Sequence, residues 1–423
     1  MFTKEDLLVL DQVPVFGQIY DDTEYAKKRF IELYDLYTKK FGEPESFYLF
    51  STPGRTEISG NHTDHNNGCV LAASVNLDSA AIVVPTDDNM VNIYSVGYQR
   101  PFKVNILNTK PVEAERETTV SLVRGVAARL NELGYKTGGF NAYINSSVKR
   151  GSGLSSSASI EVLIGKIFSR LYNADNEIPD VEIAKISQYA ENVYFGKPCG
   201  LMDQTACAVG GVISIDFNDT KNPIVEQVQL DLASLGYCLA VVDTGGNHAD
   251  LTDDYASVPR EMKAVAAEFG KDVMRRVTKA ELLSKAGELR KKLGDRAVLR
   301  AFHFLNDNDR VVKQIECIKN GDFDSFLNYV NKSGDSSWEY LQNCMTPKNP
   351  DEQGITLALA VTREYCEGMK FATRVHGGGF AGTIQTFLPI EEFEGYKTAM
   401  ESVFGEGCVT KLNIRGKGTT CIE

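Results

Sequence analysis

The sequence lacks the features that mark a membrane protein, a nucleic-acid-binding protein or a secreted disulfide scaffold. No apolar run approaches the roughly 18 to 20 residues that span a bilayer. Its 45 basic residues are outnumbered by 57 acidic ones, and a net charge of −12 disfavours binding to phosphate backbones, which are held mainly by clustered lysine and arginine. The nine cysteines include no Cys-x-x-Cys pair, which disfavours both a disulfide framework and a zinc site. We therefore expect no nucleic-acid partner and no membrane partner.

What is present is the composition of a soluble globular enzyme, with 43% hydrophobic and 24% charged residues. A chain of 423 residues is too long for one ordinary core, and we expect two domains with a boundary between residues 215 and 235. Residues 1–6 are interrupted by acids and no apolar core follows them, unlike a secretory leader, so we expect a cytoplasmic protein.

Hydrophobic periodicity predicts a mixture of helices and strands. Apolar residues recur at helical spacing over 23–41, and a second apolar stripe over 155–171 directly follows a Gly-Ser-Gly loop. The other predicted helical segments are 118–133, 181–193 and a charged region over 259–332, and the predicted strands are 47–50, 81–84, 91–94, 140–144, 212–217 and 239–243.

The strongest local signal is the segment Lys149-Arg150-Gly151-Ser152-Gly153-Leu154-Ser155-Ser156-Ser157-Ala158-Ser159. Glycines let the backbone approach a ligand closely, and the unpaired amides of a helix's first turn favour an anion. The serine hydroxyls add donors, and one could ligate Mg²⁺, which prefers oxygen. The segment is typical of a phosphate-binding loop, with a capped helix after a glycine turn as the alternative. It is neither a Walker loop nor a dinucleotide fingerprint.

A second cluster, residues 53–68, is crowded with small, polar and ionisable side chains, among them Arg55, Asn61, His62, Asp64 and His65. A loop this polar can hydrogen-bond several sugar hydroxyls while its glycines shape the turn. The spacing of His62 and His65 also resembles that of zinc ligands, but the chain offers no convincing third ligand.

Two further clusters are ambiguous when read alone. In residues 191–204, Asp203 follows a Pro-Cys-Gly turn, where it could cap the helix that begins near Gln204. In residues 375–383, the run Gly377-Gly378-Gly379 is typical of a tight turn before a strand.

Taken together and in this order, the four clusters resemble the galactokinase branch of the GHMP small-molecule kinases. The matching motifs are Pro-Gly-Arg with Gly-x-His-Thr-Asp at 53–64, Gly-Leu-Ser-Ser-Ser-Ala-Ser at 153–159, Pro-Cys-Gly-x-Met-Asp-Gln at 198–204 and Gly-Gly-Gly-Phe at 377–380. The resemblance implies an α+β fold of two domains, a ribosomal-S5-like N-terminal domain over 1–220 and a ferredoxin-like C-terminal domain over 221–423, with the active site between them.

The resemblance also implies a role for each matching residue. Asp203 would accept the proton of the sugar's anomeric hydroxyl, and Arg55 would lower its pKa or stabilise charge in the transition state. The implied cofactors are ATP and Mg²⁺. The implied nucleotide-binding residues are Gly151, Gly153, Ser155 and Ser156, the metal ligands Ser157 and Glu191, and the sugar-binding residues Asn61, His62, Asp64, Gly200 and Tyr255, the last carried over through its spacing from His248.

Two departures from the family pattern bear on the substrate. Asn61 stands where galactokinases usually have a glutamate that contacts the sugar's C6 hydroxyl, and Thr56-Glu57 replaces the common Val-Asn. An amide does not repel a carboxylate, so a uronic acid, or a sugar without C6, becomes less disfavoured. The predicted reaction is phosphorylation of galactose at the anomeric hydroxyl, with galacturonate, an amino sugar or arabinose as alternative substrates.

A non-catalytic galactose and ATP sensor is the alternative from a different class. Arg55, Ser157, Glu191 and Asp203 are all present, which favours an enzyme. Mevalonate and homoserine kinases are disfavoured because the Gly-x-His-Thr-Asp segment is a galactokinase feature. The family's adenine-stacking tryptophan has no counterpart, since the single tryptophan, Trp338, lies far along the second domain. We expect a monomer or a weak homodimer.

Overall fold

The structure of the protein, a computed structural model, describes residues 1–149, 153–197, 199–246 and 251–423. The strands are β1 (Tyr48–Ser59), β2 (Cys69–Pro85), β3 (Met90–Ser95), β4 (Phe102–Asn105), β5 (Phe140–Ser146), β6 (Val212–Asp216), β7 (Ile224–Val228), β8 (Tyr237–Asp243), β9 (Ala372–His376), β10 (Thr383–Pro389), β11 (Val409–Leu412) and β12 (Thr420–Ile422).

Along the chain, most of the α-helices follow one strand and precede the next. They are α1 (Pro14–Ile19), α2 (Thr23–Phe41), α3 (Thr119–Glu132), α4 (Ser156–Tyr172), α5 (Asp180–Tyr189), α6 (Met202–Val209), α7 (Thr252–Ala267), α8 (Lys279–Leu293), α9 (Asp295–Asn320), α10 (Phe323–Ser336), α11 (Gly354–Tyr365) and α12 (Phe393–Phe404). None of the helices in the described ranges is long and apolar enough to cross a membrane.

The strands form two sheets, which confirms the α+β class. The first sheet has eight strands in the order β12-β1-β2-β5-β3-β4, with β6 paired to β2 and β7 paired to β6. The second has four strands in the order β11-β8-β10-β9. Every described pair is antiparallel except β3 with β5.

Both faces of the first sheet are covered, which explains why β1 is buried along almost its whole length. Helices α3 to α6 pack their apolar faces on one side, and α1 and α2 cover the other. A third apolar cluster joins the two sheets, since it combines Ile58 and Leu71 of the first with Leu239 and Phe387 of the second. The two units are therefore held together by a shared core.

The two strongest helix predictions were accurate, but two other bounds were wrong. The segment predicted as a helix over 181–193 is α5 up to Tyr189 and then a π-helical turn, Ala190–Phe195. The charged helical region begins already at Thr252, so Pro259 lies inside α7.

The division of the chain at residue 220 stays a prediction, to which the strand pairing adds two details. Strand β7, after residue 220, pairs with β6, and the C-terminal strand β12 pairs with β1. The second sheet is therefore inserted between chain segments that belong to the first.

Candidate active site

Arg55 and Asp203 form a bidentate ion pair at the centre of the candidate site. Arg55 Nε and Nη2 each donate to one carboxylate oxygen of Asp203, both at 2.7 Å. Arg55 Nη1 also donates to the carbonyl of Gly153, and Ser155 Oγ donates to Asp203. Two planar groups held in this way have little freedom to rotate.

An irregularity in β1 gives Arg55 its direction. The register between β1 and β2 shifts between Pro53 and Arg55, and Arg55 N donates instead to the carbonyl of Leu154 at 3.1 Å. Gly54 is required at this bend, because a Cβ there would lie 2.9 Å from that same carbonyl oxygen. Bulges of this kind commonly re-aim a side chain at an active site.

The environment of Asp203 favours its charged form. Burial alone would raise the pKa of Asp203, but the Arg55 charge and the hydrogen bonds from Arg55 and Ser155 hold that pKa below its ordinary value. Asp203 also lies in the first turn of α6, where the helix dipole stabilises a negative charge.

The predicted phosphate loop leads directly into α4. Gly153 and Ser155 both adopt left-handed backbone angles, with φ of 73° and 58°, before the helix begins at Ser156. A Cβ on Gly153 would lie 2.6 Å from Thr383 Oγ1, so only glycine fits against β10. Gly151 lies outside the described residues.

Ser157 and Glu191 face each other across the same region. Ser157 Oγ donates to Glu191 Oε1 at 2.9 Å, and Lys197 Nζ lies 3.6 Å from that oxygen. Glu191 projects from the π-helical turn and is 2% exposed. Inserted π turns recur at functional sites because they displace side chains from the regular helical positions.

These residues surround one cavity of about 370 Å³. The predicted site residues that line it are Arg55, Gly153, Ser155, Ser156, Ser157, Glu191, Asp203 and Tyr255. Lys149, Lys197, His376, Thr383 and the glycines Gly377, Gly378 and Gly379 complete much of its wall. Residues more than 300 positions apart in the sequence thus meet at one place.

A second cavity, of about 240 Å³, adjoins the first. The two share Lys149, Ser156, Ser157 and Phe195. The far wall of the second is aromatic, since Tyr98 and Phe102 meet edge to face at 5.3 Å between ring centroids.

The predicted sugar-binding residues divide into two groups. Tyr255 lines the cavity, its hydroxyl donates to the carbonyl of Gly379 at 3.0 Å, and burial raises the pKa of Tyr255 to about 12. Asp64 lies directly against Gly200, where a Cβ would come within 1.7 Å of Asp64 Oδ2. His248 and Pro198, which belong to the predicted motifs, lie outside the described residues.

Asn61 is not brought to the cavity. Its side chain is fully buried, where Nδ2 donates to Glu57 at 2.9 Å and to the carbonyl of Gly377 at 2.7 Å. Its Oδ1 accepts from Asn343 Nδ2 at 2.8 Å. The amide therefore connects β1 to the glycine turn of the second sheet instead of facing the cavity.

His62 also bonds to the glycine turn. Its Nε2 lies 2.8 Å from the carbonyl of Gly378, and burial lowers the pKa of His62 to about 3, so the ring is neutral. Within the described ranges no three His, Cys, Asp or Glu side chains are grouped to hold a metal, so the zinc alternative for His62 and His65 gains no support.

Several residues of the site received no role from the sequence, although Lys149, His376 and Gln204 lie within its motifs. Lys149 and His376 line the cavity, and Glu161 and Gln204 contact Glu191 or its partners. The available signals were weak: Glu161 follows Ser157 by four positions on a predicted helix, and His376 directly precedes the glycine run.

Comparisons with known proteins identify the family to which the chain is similar. The family GHMP kinases N terminal domain matches residues 121–211, and the galactokinase galactose-binding signature matches residues 35–85. A galactokinase of Limosilactobacillus reuteri (strain DSM 20016) is 30% identical over 385 residues, 87% of this chain and 92% of its own. One of Actinobacillus pleuropneumoniae serotype 3 (strain JL03) is 30% identical over 374 residues, 85% and 90% of the two chains.

A solved structure shows the same fold. Lactococcus lactis galactokinase, solved in complex with galactose, superposes with a TM-score of 0.79 at 23% identity, covering 92% of this chain and 99% of its own.

Proposed function

The chain belongs to the galactokinase family, and from that membership we propose that it transfers the γ-phosphoryl group of ATP to the anomeric hydroxyl of galactose, giving galactose 1-phosphate and ADP. The observation that carries the proposal is the meeting of Arg55, Ser157, Glu191 and Asp203 around one cavity. Phosphoryl transfer depends mainly on positioning and charge neutralisation, and this set of residues supplies both.

Asp203 and Arg55 carry the proton and the charge. Asp203 accepts the proton of the anomeric hydroxyl as that oxygen bonds to the γ-phosphorus, and the bond from the γ-phosphorus to the bridging oxygen of ADP breaks. A carboxylate paired with Arg55 is a weak base, which suits a loose transition state in which the proton leaves late. The Arg55 guanidinium stabilises the negative charge that collects on the transferred group.

The residues at the start of α4 would hold the nucleotide phosphates. The first-turn amides of α4, the Ser155 and Ser156 hydroxyls and the backbone of Gly153 would bind them, and the family motif assigns Gly151 the same role. Lys149 and Lys197 add positive charge to the cavity wall. The adjoining cavity would hold the adenine, since Tyr98, Phe102 and Phe195 provide there the apolar surface that the absent tryptophan would otherwise supply.

Ser157 and Glu191 would hold the metal ion. Their oxygens lie 2.9 Å apart on the cavity wall, and one hydroxyl with one carboxylate is a donor set that suits Mg²⁺ when phosphate oxygens and waters complete the coordination. Bound Mg²⁺ neutralises charge on the phosphates.

The sugar lies beside Asp203, with His62, Asp64, Gly200 and Tyr255 as its binding residues. Because the Asn61 amide is occupied by Glu57, Gly377 and Asn343, the position that usually contacts the C6 hydroxyl does not select for it. That observation favours galacturonate or arabinose as the second candidate substrate, and an amino sugar stays a further alternative. We place the enzyme in the cytoplasm, as a monomer or weak homodimer that acts on this small molecule.

A coupled assay of ADP release over galactose and these relatives tests the reaction. We expect turnover with galactose, and Asp203→Asn should lower kcat by about 10²- to 10⁴-fold while calorimetry shows galactose binding largely unchanged. Asp216→Asn, which disrupts an ion pair with Arg275 outside the cavity, is the matched control and should keep its kcat. Galactose binding without turnover of any sugar in the wild-type protein would instead support a sensor.

A further inference from the structure

Two polar side chains behind Glu191 have no role in the function proposed above. Glu161, on α4, and Gln204, on α6, are each 0% exposed and do not line the cavity. Both helices contribute apolar residues to the larger core, among them Ala158 and Val162 of α4 and Ala206 of α6. A buried carboxyl group in such a place opposes folding unless its neighbours compensate it.

The amide nitrogen of Gln204 connects two carboxyl groups. Gln204 Nε2 donates to Glu161 Oε1 and to Glu191 Oε2, both at 2.8 Å. Since Ser157 holds the other oxygen of Glu191, the Glu191 carboxylate is fixed from both sides. Three elements, α4, the π-helical turn and α6, thus meet at one carboxylate.

The compensation within this cluster is incomplete. Gln204 Oε1 and Glu161 Oε2 have no N–H or O–H donor among the described residues. Apolar side chains of the same size would suit the core better, so the cluster does not stabilise the fold.

The backbone conformation at Glu191 indicates what this cluster contributes. Glu191 lies in the π-helical turn, where the amides of Gly196 and Lys197 both bond to its carbonyl, at 3.0 and 3.2 Å. The wide turn alone does not fix the side chain, so its direction depends on side-chain partners.

We propose that Glu161 and Gln204 are positioning residues that aim the Glu191 carboxylate at Ser157 and the cavity, so that a divalent cation can be bound there. The inference rests on the metal site of the proposed function. Residues behind a metal ligand typically change metal affinity about 10- to 100-fold when removed. In this protein Glu161 and Gln204 would support metal binding while lowering the free energy of unfolding.

The test compares metal binding with stability in the double variant Glu161→Met/Gln204→Met, which keeps side-chain volume. Thermal melts are recorded for the protein alone, with saturating ADP in EDTA, and with ADP over a range of Mg²⁺ concentrations. A ligand that binds only the folded state raises the melting temperature in proportion to its occupancy. This readout does not require turnover.

We expect the double variant without ligand to melt at or above the wild-type temperature. The rise in melting temperature caused by ADP in EDTA should be as large as in the wild type. The Mg²⁺ concentration that gives half of the further rise in melting temperature should increase about 10- to 100-fold. Glu161→Gln, which keeps an oxygen acceptor for Gln204, should resemble the wild type, and Glu191→Gln should abolish the Mg²⁺-dependent increment.

Gln314→Met is the matched control, because Gln314 is also fully buried and has no side-chain partner within the described residues. It should leave the Mg²⁺ dependence unchanged. If the double variant does not fold, Glu161→Leu/Gln204→Leu carries the same test, since it also removes both polar partners together.

Two results would overturn the inference. An unchanged Mg²⁺ dependence in the double variant would overturn it alone, since the metal site would then exist without these residues. The absence of any Mg²⁺-dependent increment in the wild-type protein would overturn the metal site as well.

Discussion

Arg55 controls the charge state of its partner as well as its position. Burial works against the charge on Asp203, and Arg55 outweighs burial through its charge and its two hydrogen bonds. The pKa of Asp203 therefore lies below its ordinary value, and the proposed base is ionised at neutral pH. Activity should show no acid limb from this residue near neutral pH.

Replacing Arg55 should create such a limb. In Arg55→Ala the burial of Asp203 is no longer opposed, so its pKa rises and kcat/KM should fall as the pH is lowered from 7 towards 5, on top of a loss of about 10²- to 10³-fold at the optimum. Arg55→Lys keeps the charge and should shift the limb less. A pH profile of Arg55→Ala that runs parallel to that of the wild type would contradict this assignment of the base.

Single residues also show how far the sequence could predict the site. The motifs identified Arg55, Ser157, Glu191 and Asp203, and the structure brings them together, although their roles stay predictions. The position of Asn61 could not be read in this way. Its direction is set by partners such as Asn343, 282 positions away, whose proximity depends on the folded chain.

At the scale of elements, the glycine turn between β9 and β10 is held by its carbonyl groups. The carbonyls of Gly377, Gly378 and Gly379 accept from Asn61, Asn343 and Tyr255 respectively, so side chains from three other segments of the chain fix the turn. Gly377 and Gly379 have φ of 67° and 78°, which disfavours other residues.

Alanine substitutions in this turn should separate the effect of backbone strain from the effect of a steric clash with Asn343. A Cβ on Gly379 would lie 2.2 Å from the carbonyl of Asn343, whereas one on Gly377 meets nothing within 4 Å. Gly377→Ala should lower the free energy of unfolding by about 1 to 2 kcal/mol, since it adds only backbone strain. Gly379→Ala should lower it by clearly more and should also cause a larger loss of kcat.

Gly368→Ala is the control for that comparison. Gly368 has φ of 81° and open space for a Cβ, but it does not line the cavity. Denaturant unfolding and kinetics of the three variants provide the measurement. Equal losses in Gly377→Ala and Gly379→Ala would show that the contact with Asn343 does not fix the turn.

A whole helix was predictable where its own sequence carries one continuous apolar face. Helices α2 and α4 follow their stripes closely because the 3.6-residue period alone determines which face is buried. The π-helical turn after α5 was not predictable from the local sequence. Its residue Glu191 bonds to Ser157 of α4 and Gln204 of α6, and these contacts form only in the folded chain. The pairing of β7 and β12 with the first sheet likewise depends on distant partners.

Over the whole molecule, a buried cluster around Asp78 ties together segments from both ends of the chain. Asp78, on β2, is fully buried and pairs with Arg29 of α2, and its second oxygen lies 3.8 Å from Arg415, between β11 and β12. Tyr20 donates to it at 2.7 Å. The N-terminal helices, the first sheet and the C-terminal segment thus share one carboxylate.

This cluster should determine how the protein responds to acid. Burial would raise the pKa of Asp78, but Arg29 and Arg415 outweigh it and hold that pKa below its ordinary value. A carboxylate with a lowered folded-state pKa contributes stability that is fully present above the unfolded value, about 3.9, and is lost as the pH falls through the folded value. The free energy of unfolding should therefore decline below about pH 4.

Asp78→Asn tests this argument, because it leaves two buried arginines without their counter-charge. We expect a loss of about 3 to 5 kcal/mol in the free energy of unfolding at pH 7, measured by urea denaturation, and a weaker decline of stability at low pH than in the wild type. Asp324→Asn, which removes an exposed pair with Lys370, should leave both quantities close to wild type. If Asp78→Asn and the wild type lose stability in parallel below pH 4, the acid response originates in other carboxylates, and the Asp78 cluster joins the two ends of the chain without sensing pH.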